Sequence, residues 1–148
     1  MYLAKNEDAD SRHNPKISAL WDILTSLGSA DKTIIFFNSK KYLTIVHHEL
    51  TLAGFECDKM MGGKDMDWAD RDQVMRRFRK GDQHILLATD LVSRGIDIPG
   101  LTLVVNFDVP FEKDHEGFYK AAKETYLHRI GRTGRFDTRG LAINLIKD

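Results

Sequence analysis

The sequence has a single cysteine, Cys57, among its 148 residues. One cysteine excludes a disulfide within the chain and is typical of a protein from a reducing intracellular compartment. We expect Cys57 to pack as a small apolar side chain and not to act as a nucleophile. The six histidines lack the spacing of metal ligands, so no metal site is predicted.

Long hydrophobic runs and an excess of charge of one sign are missing as well. No apolar run approaches the roughly 18 residues of a membrane span, and no signal peptide is expected at the start. The 22 basic and 22 acidic residues cancel, which excludes a globally basic nucleic-acid clamp. A nucleic-acid site in this chain must therefore be a local patch.

A phosphate loop of the type G-x-x-x-x-G-K-[ST] is also absent, as is an acidic pair after a strand to hold Mg²⁺. The chain alone is therefore expected not to hydrolyse ATP. It nevertheless carries four arginines and one aspartate between residues 126 and 139, a local charge of 4 − 1 = +3. Arginine suits a terminal phosphate, because it stays charged and offers a planar fork of donors. By charge and spacing alone, a surface arginine cluster is the alternative.

Strand-like and helix-like segments alternate along the chain. Apolar spacing predicts helices over residues 16–27, from the cap Ser39 to about 52, over 67–80 and in part of 116–130. Buried strands are predicted over 33–37, 55–61, 84–88, 101–107 and 140–146. Segment 111–118 is expected to be a charged surface loop. The alternation predicts an α/β fold, a three-layer α/β/α sandwich with a mainly parallel sheet.

Ligands of such sheets bind at the carboxyl ends of the strands. Ser39 and Lys40 follow the first strand, where they either grip a nucleic-acid backbone or simply begin a helix with a solvated lysine. Thr89 follows the third strand, where its hydroxyl could hold a phosphate. Asp97, further along, could accept hydrogen bonds from ribose hydroxyls. Polar and basic groups are therefore expected along one edge of the sheet.

Taken together, these stretches resemble the C-terminal RecA-like domain of DEAD-box ATP-dependent RNA helicases. In chain order the resemblance involves motif IV at Ile34–Lys40, the end of motif IVa at Phe78–Gly81, motif V at Ala88–Asp97 and motif VI at Tyr126–Arg135. Its most specific part is the eight-residue match of His128–Arg135. The resemblance implies one RecA-like domain over residues 1–148, truncated at its C-terminal end, where a closing helix is expected.

The resemblance also implies roles for residues near ATP. Arg132 and Arg135 are expected to reach the γ-phosphate of an ATP held with Mg²⁺ by an absent N-terminal RecA domain. His128 is expected to couple the region of the attacking water to that domain. Asp97, with Gly95, is expected to meet the nucleotide ribose.

Further roles concern the other domain and RNA. Arg94 and Arg129 are expected to lie at the interdomain contact. The residues expected to touch the RNA backbone are Ser39, Lys40, Thr89 and the region near Gly63. One departure is visible, because Lys64 can be aligned where the family has the glycine of a small-Gly-acid triplet. Either the RNA contact of this loop is altered, or the loop is shifted and Gly63 takes over.

The chain resembles the helicases that remodel exported mRNA at the nuclear pore in the stretch 104–110, in the longer charged loop that follows it and in residues 124–128. That subfamily implies a nucleoporin and an inositol-phosphate-dependent activator as partners. It also implies an intracellular location in cytoplasm and nucleus, including the nuclear pore. The fragment is expected to be monomeric and not to bind membranes.

The sequence also leaves open two functions other than that of an RNA-helicase half. One is a non-catalytic module that binds RNA or protein through the same edge. The other is a DNA-directed helicase of related architecture, against which the match of His128–Arg135 argues.

Overall fold

The computed structural model describes residues 14–28, 31–89, 98–131 and 140–147. Within these ranges the helices are α1 (Pro15–Thr25), α2 (Lys40–Leu52), α3 (Trp68–Lys80) and α4 (Lys123–Ile130). The strands are β1 (Lys32–Phe36), β2 (Asp58–Met60), β3 (Ile85–Ala88), β4 (Leu101–Asn106), β5 (Phe111–Lys113), β6 (Tyr119–Ala121) and β7 (Leu141–Asn144). A short 3₁₀ turn, Gly63–Asp65, precedes α3.

Five strands form one sheet in the order β2-β3-β1-β4-β7, and all of its neighbours run parallel. The central strand β1 is buried along its whole length, as expected for a strand covered on both faces. Its residue Ile34 is in register with Leu86 on one side and with Val104 on the other. This arrangement confirms the predicted parallel α/β sheet.

The two faces of the sheet are covered by different helices. Ile35 and Phe37 belong to the core cluster formed with α1 and α2, whereas Ile34 and Phe36 belong to the cluster formed with Phe78 of α3. Successive side chains of a strand point to opposite faces, so a continuous apolar run fills both cores. The predicted three-layer sandwich is therefore present.

Two helices begin and end where the sequence indicated. The Ser39 side chain accepts a hydrogen bond from the amide of Tyr42 at 3.4 Å and caps α2, as predicted. Asp67 caps α3 by accepting from the amide of Asp70 at 2.8 Å. Helix α3 ends at Gly81, whose φ of 89° lies in the left-handed region that glycine tolerates best. These caps fix the loops on either side of the two helices.

The segment after β4 differs from its prediction as a loop running into a helix. Strands β5 and β6 form an antiparallel hairpin with Phe111 opposite Ala121, and α4 begins only at Lys123. The rings of Phe111 and Tyr119 meet edge to face with centroids 4.9 Å apart. This cross-strand contact stabilises the strand pairing. The many charged residues of the segment had indicated a loop instead. The loop prediction was wrong for 111–113, which form β5, whereas the prediction that part of 116–130 is helical is confirmed by α4.

Cys57 packs partly buried against the core cluster of α1 and α2, as predicted for a small apolar side chain. Burial raises the pKa of its thiol, which disfavours the nucleophilic thiolate. Among the residues that the structure describes, no His, Cys, Asp and Glu side chains are grouped to hold a metal ion. Within the same residues, no helix has the length and apolar character of a membrane span.

Candidate nucleic-acid interface

Three loops meet at the carboxyl ends of β1, β2 and β3. The Gly62 amide, after β2, donates a hydrogen bond to Thr89 Oγ1, after β3, at 3.2 Å. The Thr89 amide in turn donates to the carbonyl of Met60 at 3.1 Å. These two bonds fix the loop after β2 against the end of β3, and they give the Thr89 hydroxyl a defined position.

Lys40, the first residue of α2, reaches into the same loop. Its Nζ lies 2.6 Å from Asp65 Oδ2, and a Cβ built on Gly63 would be only 2.8 Å from that Nζ. The Lys40 and Asp65 side chains are 46% and 55% exposed, so the pair is open to a ligand. Ser39, Lys40, Gly63 and Thr89, predicted separately, therefore lie along one edge, and we call these four residues the backbone-binding cluster.

Asp65 was not singled out from the sequence. The hydrogen bond and the charge of Lys40 lower the pKa of its carboxyl below the ordinary value, so the carboxylate is ionised at neutral pH. The Asp65 carboxylate, which pairs with the exposed Lys40 ammonium, occupies the position that a phosphate oxygen would take. A phosphate can therefore replace Asp65 as the partner of Lys40 without leaving a buried charge unpaired.

The conformation of Gly63 bears on the departure seen at Lys64. Gly63 has φ of 76°, in the left-handed region, whereas Lys64 is an exposed residue of the 3₁₀ turn. The residue that needs glycine is thus Gly63, one position before the aligned family glycine. This agrees with the shifted-loop alternative and explains how a lysine is tolerated at position 64.

Gly63→Ala is expected to lower both stability and RNA affinity. The positive φ costs on the order of 1 kcal/mol for an L side chain, and the new Cβ would push Lys40 Nζ away from its place. Gly54→Ala is the matched control, because Gly54 has φ of 91° but open space around its would-be Cβ. Urea denaturation should show similar losses of unfolding free energy for both variants.

Fluorescence anisotropy with a labelled single-stranded RNA should then separate the two variants. Gly63→Ala is expected to bind several-fold more weakly than Gly54→Ala. Equal RNA affinity of the two would show that the contact between Gly63 and Lys40 does not matter for binding.

A second group of polar residues lies at the carboxyl ends of β1 and β4. The Arg129 side chain, from α4, is fully buried. Its Nη1 donates to Asn106 Oδ1 at 3.1 Å and to the Asp108 carbonyl at 2.7 Å, and its Nη2 donates to Asn38 Oδ1 at 2.8 Å. The guanidinium also lies 5.1 Å from the centroid of the Phe36 ring. Arg129 thus ties α4 to two strand ends.

The network extends to β7. Asn106 donates through Nδ2 to Asn144 Oδ1 at 2.9 Å, and Asn144 donates to the hydroxyl of Tyr126 in α4 at 3.1 Å. Asn38 and Asn106 were not predicted as site residues. The sequence signal that could have identified them is an asparagine at or just after the end of a continuous apolar strand, where a buried amide needs a partner.

The Arg129 side chain is fully buried within this domain, and the prediction that it lies at an interdomain contact stays a prediction. Its role is to position α4. His128, its neighbour, is exposed at the end of the same helix, and its coupling role stays a prediction. The other predicted residues lie outside the described part of the chain, and their roles also stay predictions: Arg94, Gly95, Asp97, Arg132 and Arg135.

A parallel sheet covered on both faces, with its polar loops at the carboxyl edge, defines an α/β domain of the RecA-like class. Residues 15–137 match the family model of the helicase conserved C-terminal domain. The chain is 36% identical over 137 residues to eukaryotic initiation factor 4A of Drosophila melanogaster. It is 40% identical over 135 residues to the ATP-dependent RNA helicase DbpA of Bacillus subtilis. These alignments cover 93% and 91% of this chain but 31% and 26% of those proteins.

Solved structures agree with the family model. The chain resembles S. cerevisiae Dbp5 bound to RNA and ADP BeF3, with a TM-score of 0.77, 36% identity, and coverage of 90% of this chain and 32% of that one. It also resembles the C-terminal domain of the DEAD-box protein Dbp5, with a TM-score of 0.76, 35% identity, and coverage of 90% and 70%. The chain therefore belongs to the C-terminal helicase domains of DEAD-box RNA helicases.

Proposed function

We propose that this chain works as the second half of an ATP-dependent RNA-helicase motor, which unwinds or remodels RNA or RNA–protein complexes. The observation that carries the proposal is the backbone-binding cluster, in which three separate loops converge on one exposed edge. A lysine, two hydroxyls and a glycine backbone suit phosphate and sugar, and such contacts hold a strand without reading its sequence. Local contacts of this kind are also compatible with a chain whose net charge is zero.

The ATP side of the proposal concerns Arg132 and Arg135, which follow α4. The buried Arg129 fixes α4 to the strand ends, and so fixes the point from which the arginine segment leaves. Since the sequence has no phosphate loop, these arginines make chemical sense if another domain holds the ATP. In the proposal, Asp97 and Gly95 bind the ribose, and the Mg²⁺ is held mainly by that other domain.

Lys40→Ala is expected to weaken binding of single-stranded RNA several-fold and to make it less salt-dependent. Each lost phosphate contact on a single strand should reduce the slope of log affinity against log salt by about 0.7. Lys123→Ala is the control, because Lys123 is an exposed lysine at the start of α4. The measurement is anisotropy titration at several salt concentrations. Equal slopes for the two variants would remove Lys40 from the RNA contact.

We further infer that the helicase acts in mRNA export, at the cytoplasm, nucleus and nuclear pore. The support is the β5–β6 hairpin, which occupies the longer loop that suggested the subfamily, together with the likeness to Dbp5. One similar structure is of S. cerevisiae Dbp5 bound to Gle1 and IP6. By analogy, an inositol-phosphate-dependent activator and a nucleoporin would be partners of this protein.

The export assignment is tested by titrating purified Gle1 into this chain with and without IP6. Tighter binding in the presence of IP6 is the expected result. Absence of any IP6 effect would leave the chain a DEAD-box helicase domain outside the export branch.

A further inference from the structure

The β5–β6 hairpin forms one wall of an open cavity of about 580 Å³. Its other walls come from the starts of α1 and α2, the loop after β4 and residues 145–147 after β7. Sites for small organic groups commonly measure about 300–1,000 Å³. The cavity, which we call the hairpin cavity, is therefore large enough to receive a ring-bearing group.

Aromatic rings line this cavity while keeping much of their surface exposed. Phe111 and Tyr119 are 42% and 58% exposed, and Tyr42 is 38% exposed. Phe111 and Tyr119 meet edge to face, and Lys113 Nζ lies 5.2 Å from the centroid of the Tyr119 ring. A base that stacks on Tyr119 must therefore use ring surface that Lys113 leaves open or displace that lysine. Exposed aromatic rings of this kind are stacking platforms for nucleobases, whose flat faces they match whatever the sequence.

The charge of the cavity favours a phosphate-bearing ligand. Lys16, Lys120 and Lys147 line it together with Asp108, a balance of 3 − 1 = +2. Lys16 is engaged, because its Nζ donates to the Phe107 carbonyl at 2.7 Å and lies 3.5 Å from Asp108 Oδ1. Lys147 is exposed. Lys120 is exposed too and pairs with Glu112 across the hairpin at 3.4 Å, a surface pair weak enough for a phosphate to compete with the carboxylate. Rings and cations together match the two parts of a nucleotide.

The hairpin cavity is continuous with the backbone-binding cluster through Ser39. Ser39 lines the cavity, whereas the next residue, Lys40, lies outside its lining and contacts Asp65 beside Gly63. A strand crossing the start of α2 would therefore pass from one to the other. Because the two sites adjoin, we expect the occupant of the hairpin cavity to be an end of the bound RNA and not an unrelated ligand.

We propose that the hairpin cavity receives one unpaired base at an end of the RNA strand held by the backbone-binding cluster. This inference rests on the proposed function and adds a site for a base to a surface that otherwise contacts backbone. The base stacks on Tyr119, supported by Phe111, and its phosphate lies towards Lys120. The hairpin thereby fixes how far the strand extends beyond the cluster.

The test is a double-mutant cycle between the 148-residue chain and single-stranded oligouridylates. One oligonucleotide carries every base, and two others lack the base at the 5′ or the 3′ terminal nucleotide. Removing the base at one end, but not at the other, is expected to weaken binding about tenfold, within the range for one stacked base. Tyr119→Leu should cause a similar loss with the complete RNA and almost none with the RNA that lacks that base.

Phe118→Leu is the matched control, because Phe118 is an exposed aromatic residue of the same hairpin turn but lies outside the cavity lining. It should leave all three affinities unchanged. Lys120→Ala provides a second variant, expected to weaken binding of the complete RNA and to lower its salt dependence. Circular dichroism of each variant checks that the domain is folded.

The outcomes separate this inference from the proposed function. Lys40→Ala should weaken binding of all three oligonucleotides alike, and its failure to do so would count against the backbone-binding cluster. Additive losses from Tyr119→Leu and base removal would overturn the hairpin cavity alone. RNA binding that is unchanged in Tyr119→Leu would also overturn it. A wild-type chain that binds no RNA would overturn both.

Discussion

Replacing Arg132 and Arg135 with alanine is expected to reduce RNA-stimulated ATP hydrolysis by about 10³–10⁵-fold, the effect known for arginine fingers. The protein for this test joins the present chain to the first RecA-like domain of a DEAD-box relative. Charge spreads over the γ-phosphate oxygens in the transition state, and a guanidinium placed there stabilises that charge more than the ground state. The loss should therefore appear mainly in kcat.

Lysine at either position is not expected to rescue the rate, because an ammonium lacks the planar fork of donors. Arg139→Ala is the control, since Arg139 lies in the same basic segment but has no assigned role at ATP. RNA affinity measured without nucleotide should be unchanged in all of these variants. A double alanine variant that keeps the wild-type rate would contradict the assignment of Arg132 and Arg135.

Arg129→Met is expected to lower the free energy of unfolding by about 2–4 kcal/mol, because hydrogen bonds from a charged donor contribute about 1.5–3 kcal/mol each and removal of the buried charge offsets part of the loss. Three hydrogen bonds from a charged donor are lost, and the buried side-chain oxygen of Asn106 loses its donor. Arg129→Lys should recover only part of this, because one ammonium cannot reproduce the geometry of two guanidinium nitrogens. The measurement is urea denaturation of the 148-residue chain.

The control for Arg129 is Arg76→Ala. Arg76 is 78% exposed and pairs with Asp72 one helical turn away at 2.9 Å. A surface pair of this kind contributes little, so a change within about 0.5 kcal/mol is expected. If Arg129→Met were as stable as Arg76→Ala, the buried network would not hold α4 in place. Loss of stability would also lower ATPase activity, which is why Arg129 is tested by unfolding and not by rate.

The fold was largely predictable because its signals are local. The run Thr33–Phe37 is apolar at every position but the first, which indicates a strand buried on both faces, and the structure places β1 at the centre of the sheet. Ser39 was recognised as a cap from its position between a strand and an apolar helical pattern. The convergence of Lys40, Gly63 and Thr89 followed from parallel topology, which brings all carboxyl ends to one edge.

What the sequence did not indicate depends on contacts between distant residues. Asp65 is 25 residues from Lys40, and Arg129 is 91 residues from Asn38. The buried position of Arg129 depends on Asn106 in β4 and on Asn38 just after β1, which are far from it in the chain. The β5–β6 hairpin was hidden because its stabilising contact, between Phe111 and Tyr119, crosses a charged turn.

We propose above all that this chain completes an ATPase together with another domain. The most direct measurement is the ATP hydrolysis rate, with and without single-stranded RNA, of the present chain, of a DEAD-box first domain, and of the two joined. We expect that neither half alone is stimulated by RNA and that the joined protein is. RNA-stimulated hydrolysis by the 148-residue chain alone, or none by a folded joined protein that binds both ATP and RNA, would contradict it.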